Sequence, residues 1–325
     1  MIQIHQRSIP TLVAAVCALL APAGPAPAGC CPEKLLAEDG QAGDRFGYDV
    51  AVDDGWMVIG APGDNERASD AGAVYVYHEV DSEWALTDKL TASDGAVDDA
   101  FGFTVAINGT TAVVGTHWVD DEVVNAGAFY VFDVNTGEEL FRFGIEGSAE
   151  SDEFGIAVSV SGGIALIGAH GDSDGGDNAG AASLYHVTMG EQPAKLVAND
   201  ASAGDKFGRA VAIDGDLAVV GAFDDADAGS YSAAAYVYDV SDPQAPVPIC
   251  KLTADDAAVG QWFGYSVAID NQLIAIGASA SIDPIHEPLP SRRHEPEPPA
   301  PKTTRTGDRK PLHALANPLA DPTTA

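Results

Sequence analysis

Basic residues are scarce in this chain. Its 325 residues include 16 Lys and Arg against 49 Asp and Glu, for a formal net charge of −33. Such a surface repels a phosphate backbone, which excludes nucleic acid as a partner. Cysteine is scarcer still, with four residues: Cys17, Cys30, Cys31 and Cys250. Cys17 falls in a leader-like segment, so an odd number remains and a disulfide framework is excluded. Aromatic residues make up 7% of the chain, and long helical patterns are lacking. No G-x-S-x-G, H-E-x-x-H, P-loop or C-x-x-C pattern occurs, so the common hydrolase, metalloprotease, nucleotide and redox signatures are all missing. The only sustained apolar run, residues 11–20, is too short to cross a bilayer, so no transmembrane segment is expected.

That run belongs to residues 1–28. His5 and Arg7 give a weakly positive start, the apolar stretch follows, and Ala26-Pro27-Ala28 supplies an A-x-A cleavage pattern. The order is that of a secretory signal peptide, which places the mature protein outside the cytoplasm, secreted or at the cell surface. Cleavage near Ala28 leaves Cys30 close to the new terminus. Pro27 stands where lipoprotein signals carry Leu, which argues against a lipid anchor on Cys30. At the other end, residues 281–325 hold 10 of the 20 prolines, with six basic and six acidic residues. A Pro-rich, aromatic-free segment cannot bury enough surface to fold and is expected to be disordered. The change of composition interrupts a repeat just after Gly277-Ala278-Ser279, as a truncation or frameshift would.

Between these ends the chain repeats. Phe-Gly pairs begin at Phe46, Phe101, Phe154, Phe207 and Phe263, and a second Gly follows each Phe at one constant interval: Gly60, Gly115, Gly168, Gly221 and Gly277. Small-residue, aromatic-containing runs follow the first four of these Phe at a second constant interval, starting at Gly72, Gly127, Gly180 and Ala233. A further apolar residue precedes each Phe in the same register, at Leu35, Leu90, Phe143, Leu196 and Leu252. Each period therefore contains four short strands, the first two joined by a tight turn such as Asp53-Asp54-Gly55. The second runs are apolar without alternation, as strands covered on both faces are. Four-stranded units of this length that cover one another predict an all-β protein, the blades of a β-propeller occupying residues 29–280. A stacked solenoid covers strands in the same way and stands as the alternative.

Phe-Gly followed at this spacing by Gly60-Ala61-Pro62 resembles the FG-GAP repeats of the integrin alpha-chain propeller and its bacterial relatives. The other copies keep part of the second motif: Gly168-Ala169-His170, Gly221-Ala222-Phe223, Gly277-Ala278-Ser279 and Gly115-Thr116-His117. The resemblance covers residues 35–279 and implies adhesion or protein–protein recognition. Two departures stand out. Calcium-binding members of that family carry a D-x-D-x-D-G loop between the first two strands, where this chain has only tight turns, so that site does not carry over. The fifth repeat also lacks its third strand. Residues 34–37 offer a strand to complete it, and an edge left open would invite self-association.

The acidic residues concentrate on the loops of one face. A solvated, solubilising rim is one reading of them. The other is hard-cation binding, which needs several oxygen ligands in one loop. Asp172, Asp174 and Asp177 are the candidate metal ligands, and calcium the candidate cofactor. His117 and His170 occupy equivalent repeat positions and read as packing residues. The tyrosines at repeat spacing read as core rather than as a sugar platform. The function expected is a secreted or cell-surface binding and scaffold module for a protein or glycan ligand, not an enzyme. Two alternatives remain: a propeller enzyme with a central-funnel active site, or a truncated, non-functional propeller fragment. Catalysis in the funnel would require His, Asp or Arg in single blades, and no such break is evident in the repeat pattern.

Overall fold

The apolar runs form strands where their spacing predicts. The structure, a computed structural model, describes residues 2–5, 34–120, 124–144, 151–226, 233–254 and 261–280. Most of the expected signal peptide, residues 6–28, and the whole 281–325 tail lie outside the described residues. Strand β1 (Ile2–His5) comes first. The first blade is β2 (Val50–Asp53), β3 (Trp56–Ala61), β4 (Ala73–Val80) and β5 (Glu83–Leu90). The second is β6 (Thr104–Asn108), β7 (Thr111–Thr116), β8 (Ala128–Asp133) and β9 (Glu138–Gly144). The third is β10 (Ala157–Ser161), β11 (Ile164–Ala169), β12 (Ala181–His186) and β13 (Glu191–Leu196). The fourth is β14 (Phe207–Asp214), β15 (Leu217–Ala222), β16 (Ala234–Asp239) and β17 (Val247–Leu252). In a fifth sheet β18 (Gln261–Asp270) pairs with β19 (Leu273–Ala280). Every blade is an antiparallel meander in chain order, and no helix occurs among the described residues.

The first strand of each blade packs on the first strand of the next, from β2 through β6, β10 and β14 to β18. These strands are therefore the inner ones. The Phe of each motif explains the stacking. Phe101, Phe154, Phe207 and Phe263 are buried in layers that join one blade to its predecessor, as where Phe101, Val105 and Ile107 meet Val58, Val74 and Leu90. The two glycine motifs answer each other across blades. A Cβ on Gly60 would lie 2.0 Å from the Gly102 carbonyl oxygen, and the Gly168–Gly208 and Gly221–Gly264 pairs are as tight. Only a residue without a side chain permits that approach.

At the opposite end of the inner strands each two-residue turn is held by the blade before it. The Gly109 N–H donates to Asp53 Oδ2 at 2.7 Å, that of Gly162 to Asn108 Oδ1 at 3.1 Å, and that of Gly215 to Ser161 Oγ at 3.1 Å. These turns leave no room for the six to eight oxygens that calcium takes.

Two features differ from expectation. Residues 34–37 form no strand; Leu35 and Ala37 instead pack on Ile59, Ala61, Ala73 and Tyr75 of the first blade. Leu35 occupies the repeat position from which Leu90 packs against the second blade, but the place beside β19 in the fifth sheet is taken by β1. The edge of β19 carries β1, with Ile2 opposite Gly277 and His5 opposite Ile274. On the first blade Ala51 faces the second, while Val50 and Val52 point the other way and are 58% and 65% exposed. Their counterparts Val105 and Ile107 are buried against a preceding blade.

Candidate binding face

The loops entering each inner strand share one face with those joining second to third strands. Much of the acidic charge there is neutralised from within. One basic residue recurs in each repeat just before the last apolar landmark, at Lys34, Lys89, Arg142, Lys195 and Lys251. Lys89 Nζ lies 2.6 Å from Asp39 Oδ2, 2.9 Å from Asp64 Oδ2 and 2.8 Å from Glu66 Oε2. The Tyr75 hydroxyl donates to Asp39 at 2.8 Å and to the buried Asp64 at 3.2 Å. The fourth blade repeats this cage: Lys251 lies 2.7 Å from Asp200 and 2.8 Å from Asp225, and the Tyr236 hydroxyl donates to both. In the second, Arg142 pairs with Asp94 at 2.6 Å, and Tyr130 donates to the same carboxylate. Burial alone would lower the Lys89 pKa, but its carboxylate hydrogen bonds outweigh burial and raise it. Hydrogen bonds from Lys89 and Tyr75 hold Asp39 below the usual carboxylate range.

The third blade departs from this scheme and contains the predicted metal ligands. Gly147 and Ser183 replace the first acid and the tyrosine. Asp172, buried, and Asp174, exposed, converge on Lys195 Nζ at 2.6 and 2.5 Å. Asp177 does not join them; its Oδ1 accepts from Asn178 Nδ2 at 3.0 Å. Among the described residues no cluster of three or more His, Cys, Asp or Glu is arranged to hold a metal ion.

Nearer the inner strands the repeat stops repeating. Four positions lie there: the residue before each Phe, the one after the Phe-Gly pair, and the two that follow the Gly-Ala of the second motif. In the first two blades they bring Tyr48, Phe103, His117 and Trp118 together. Tyr48 and Phe103 have ring centroids 4.8 Å apart, Phe103 and His117 4.1 Å, and His117 and Trp118 4.8 Å. In the last two they bring Arg209, Phe223, Trp262 and Tyr265 together. The Arg209 guanidinium lies 5.0 Å from the Tyr265 ring centre, Phe223 5.7 Å from it and Trp262 6.0 Å. Between these groups His170 Nε2 faces Glu153 Oε2 at 3.4 Å.

The residue before Phe has left-handed backbone without being glycine at Arg45, Ala100, Glu153 and Lys206, with φ between 54° and 59°. Strain of that kind persists where surrounding structure fixes it. Burial, with Arg209 adding to it, lowers the His117 pKa to about 4; burial with Lys206 and Arg209 lowers that of His170 to about 3. Nδ1 of both is buried without a hydrogen-bond partner. Glu153 is pushed up by burial, which Lys206 and Arg209 partly offset.

His117 is therefore a packed residue, as expected, but single-blade His, Glu, Lys and Arg do meet beside the inner strands, contrary to the expectation of no break. No motif marks them. The available signal is the set of repeat columns whose chemistry changes from blade to blade while their neighbours stay constant.

Repeated four-stranded antiparallel blades define a β-propeller-type repeat fold, and comparison with known families agrees. The FG-GAP repeat family matches residues 32–77, 84–132, 146–185, 191–238 and 249–286, and the chain belongs to that family. No curated protein matches it significantly.

Proposed function

We propose that the chain, after removal of residues 1–28, is a secreted or cell-surface module that recognises a protein ligand through the rim beside its inner strands. One observation carries the reading: the departures from the repeat gather on one surface, where Tyr48, Trp118 and Tyr265 are exposed large aromatics. Rigid aromatic residues beside arginine are the composition of interface hot spots. The family supports a binding role, and the caged acids of the outer rim leave less free charge there than the sequence implies. Selection of a displayed random-peptide library on the full mature chain tests the reading. Enriched peptides should lose binding to Trp118→Ala and Tyr265→Ala variants and retain it on Leu86→Ala, an exposed position elsewhere. Enrichment indifferent to the rim variants would reject the rim as the site.

Calcium at Asp172, Asp174 and Asp177 is a separate proposal. The ion would have to displace Lys195 from two of the three carboxylates.

The His170–Glu153 pair favours a second reading, acid–base catalysis at the rim. Turnover of a panel of nitrophenyl esters, glycosides and phosphates, lost in His170→Asn, would support it. Absence of turnover by the wild-type chain would count against it.

A further inference from the structure

We infer that the ligand of this rim presents a carboxylate to Arg209 and Lys206, so that the partner segment is an acidic peptide flanked by apolar side chains. The inference rests on the recognition reading and assigns its chemistry. Four of the core's basic residues, Lys89, Arg142, Lys195 and Lys251, are paired with carboxylates. Arg209 and Lys206 are different. Neither has a carboxylate within ion-pair distance among the described residues. Lys206 Nζ donates to Asn178 Oδ1 at 2.9 Å, and Arg209 Nη2 to the Tyr265 hydroxyl at 3.4 Å. A guanidinium offers five donors and an ammonium three, so most of their donor capacity is unused.

Both cations are half-buried, and both act on the same neighbours: each helps to lower the His170 pKa, and Arg209 that of His117. Burial pushes Glu153 and Asp224 up, an effect that Lys206 partly offsets at both and Arg209 at Glu153. The histidines stay neutral at pH 7. Within a chain of net charge −33 this is a local donor site, and a carboxylate takes a guanidinium bidentately.

The aromatic groups on either side decide what carries the carboxylate. Tyr48, Phe103 and Trp118 flank it from the first two blades; Phe223, Trp262 and Tyr265 flank it from the last two. A small free acid brings no apolar side chains to these rings. An extended peptide with an Asp or Glu between apolar side chains meets the cations and both groups at once. Charge complementarity of this kind sets specificity and association rate.

An array of short extended peptides, each with a central Glu, Gln or Lys between Leu and Phe residues, provides the test. It is probed with the full mature chain and with Arg209→Gln, Lys206→Gln and Trp118→Ala, each checked by thermal melting. The wild type should retain Glu-centred peptides about tenfold better than Gln-centred ones, a difference of about 1.4 kcal/mol. Arg209→Gln and Lys206→Gln should each reduce that preference, whereas Trp118→Ala should weaken both peptides alike. Equal binding of Glu and Gln peptides, or a preference that survives both charge variants, overturns the inference while leaving recognition at the rim intact. If no peptide binds, or binding ignores Trp118→Ala as well, the inference and the recognition reading fail together.

Discussion

Single atoms decide whether blades can stack. A Cβ on Gly127, at φ 80°, would lie 2.1 Å from the Phe154 carbonyl oxygen, whereas one on Gly109, at φ 58°, meets nothing within 4 Å. Both substitutions incur the left-handed penalty of roughly 1–2 kcal/mol. Only the first also forces two backbones apart. Gly127→Ala should therefore cost about 3 kcal/mol or more and Gly109→Ala about 1, as read by urea denaturation. Equal losses would show that the two backbones are not in contact there. The buried histidines set a pH dependence of definite sign. Their pKa values of about 4 and 3 lie below the ordinary 6.5, so between those limits the unfolded chain binds protons that the native one does not. Their contribution is complete above pH 6.5 and is lost as pH falls through that window. A His117→Gln, His170→Asn double variant should therefore be spared roughly 5 kcal/mol of the stability that the wild type loses between pH 7 and 4.5. Parallel losses in both proteins would place those imidazoles in solvent.

At the scale of the element, the carboxylate cages join strands of one blade to the loop entering it. Removing the cation of such a cage leaves the buried Asp64 or Asp225 with its tyrosine hydroxyl but without its ion-pair partner. Lys89→Met or Lys251→Met should cost roughly 2–4 kcal/mol, measured by thermal melting against the exposed Lys34→Met as control. In the third blade, calcium held by Asp172, Asp174 and Asp177 should raise the wild-type melting temperature in millimolar calcium above that in EDTA, and more so in Lys195→Ala; equal values in both proteins would reject the site. The strands themselves are legible in the sequence: the Phe-Gly pair, the second Gly and the small-residue run mark three strands of each blade by spacing alone. The cages are only half legible. The acids stand out by number, but their partner is one basic residue per repeat, distant from Asp39 along the chain and joined to it only when outer strand and entry loop meet. The inner rim is legible only as repeat columns whose chemistry varies; that they form one surface is not, because Arg209, His170 and Trp118 come from different blades and converge only once the blades stack.

For the whole molecule, the two ends of the row of blades are unlike its middle. Val50 and Val52 repeat the pattern that is buried at Val105 and Ile107 but meet solvent instead. Val52→Thr should thus leave stability within about 0.5 kcal/mol of wild type, while Ile107→Thr should cost roughly 2. The β19 edge is covered by residues 2–5, so a chain beginning at residue 29 should associate with itself in a concentration-dependent way. Sedimentation velocity would show this, and Ala275→Lys should reverse it; a monomer at all concentrations would mean that another segment covers that edge. The matched family units that begin in β5 and β13 end in β8 and β16, the third strands of the following blades, so the unit written in the sequence straddles two blades of the fold. Because each Gly of the second motif closes on the Phe-Gly of the next unit, a gene could gain or lose one whole unit and still present matched glycines at the new junction. A boundary between units places the caged loop and its outer-strand cation in different units, so that Asp39 and Asp64 meet Lys89 of the following one. Recombination that adds or removes a whole unit therefore re-forms a cage, as well as a glycine contact, at the new junction.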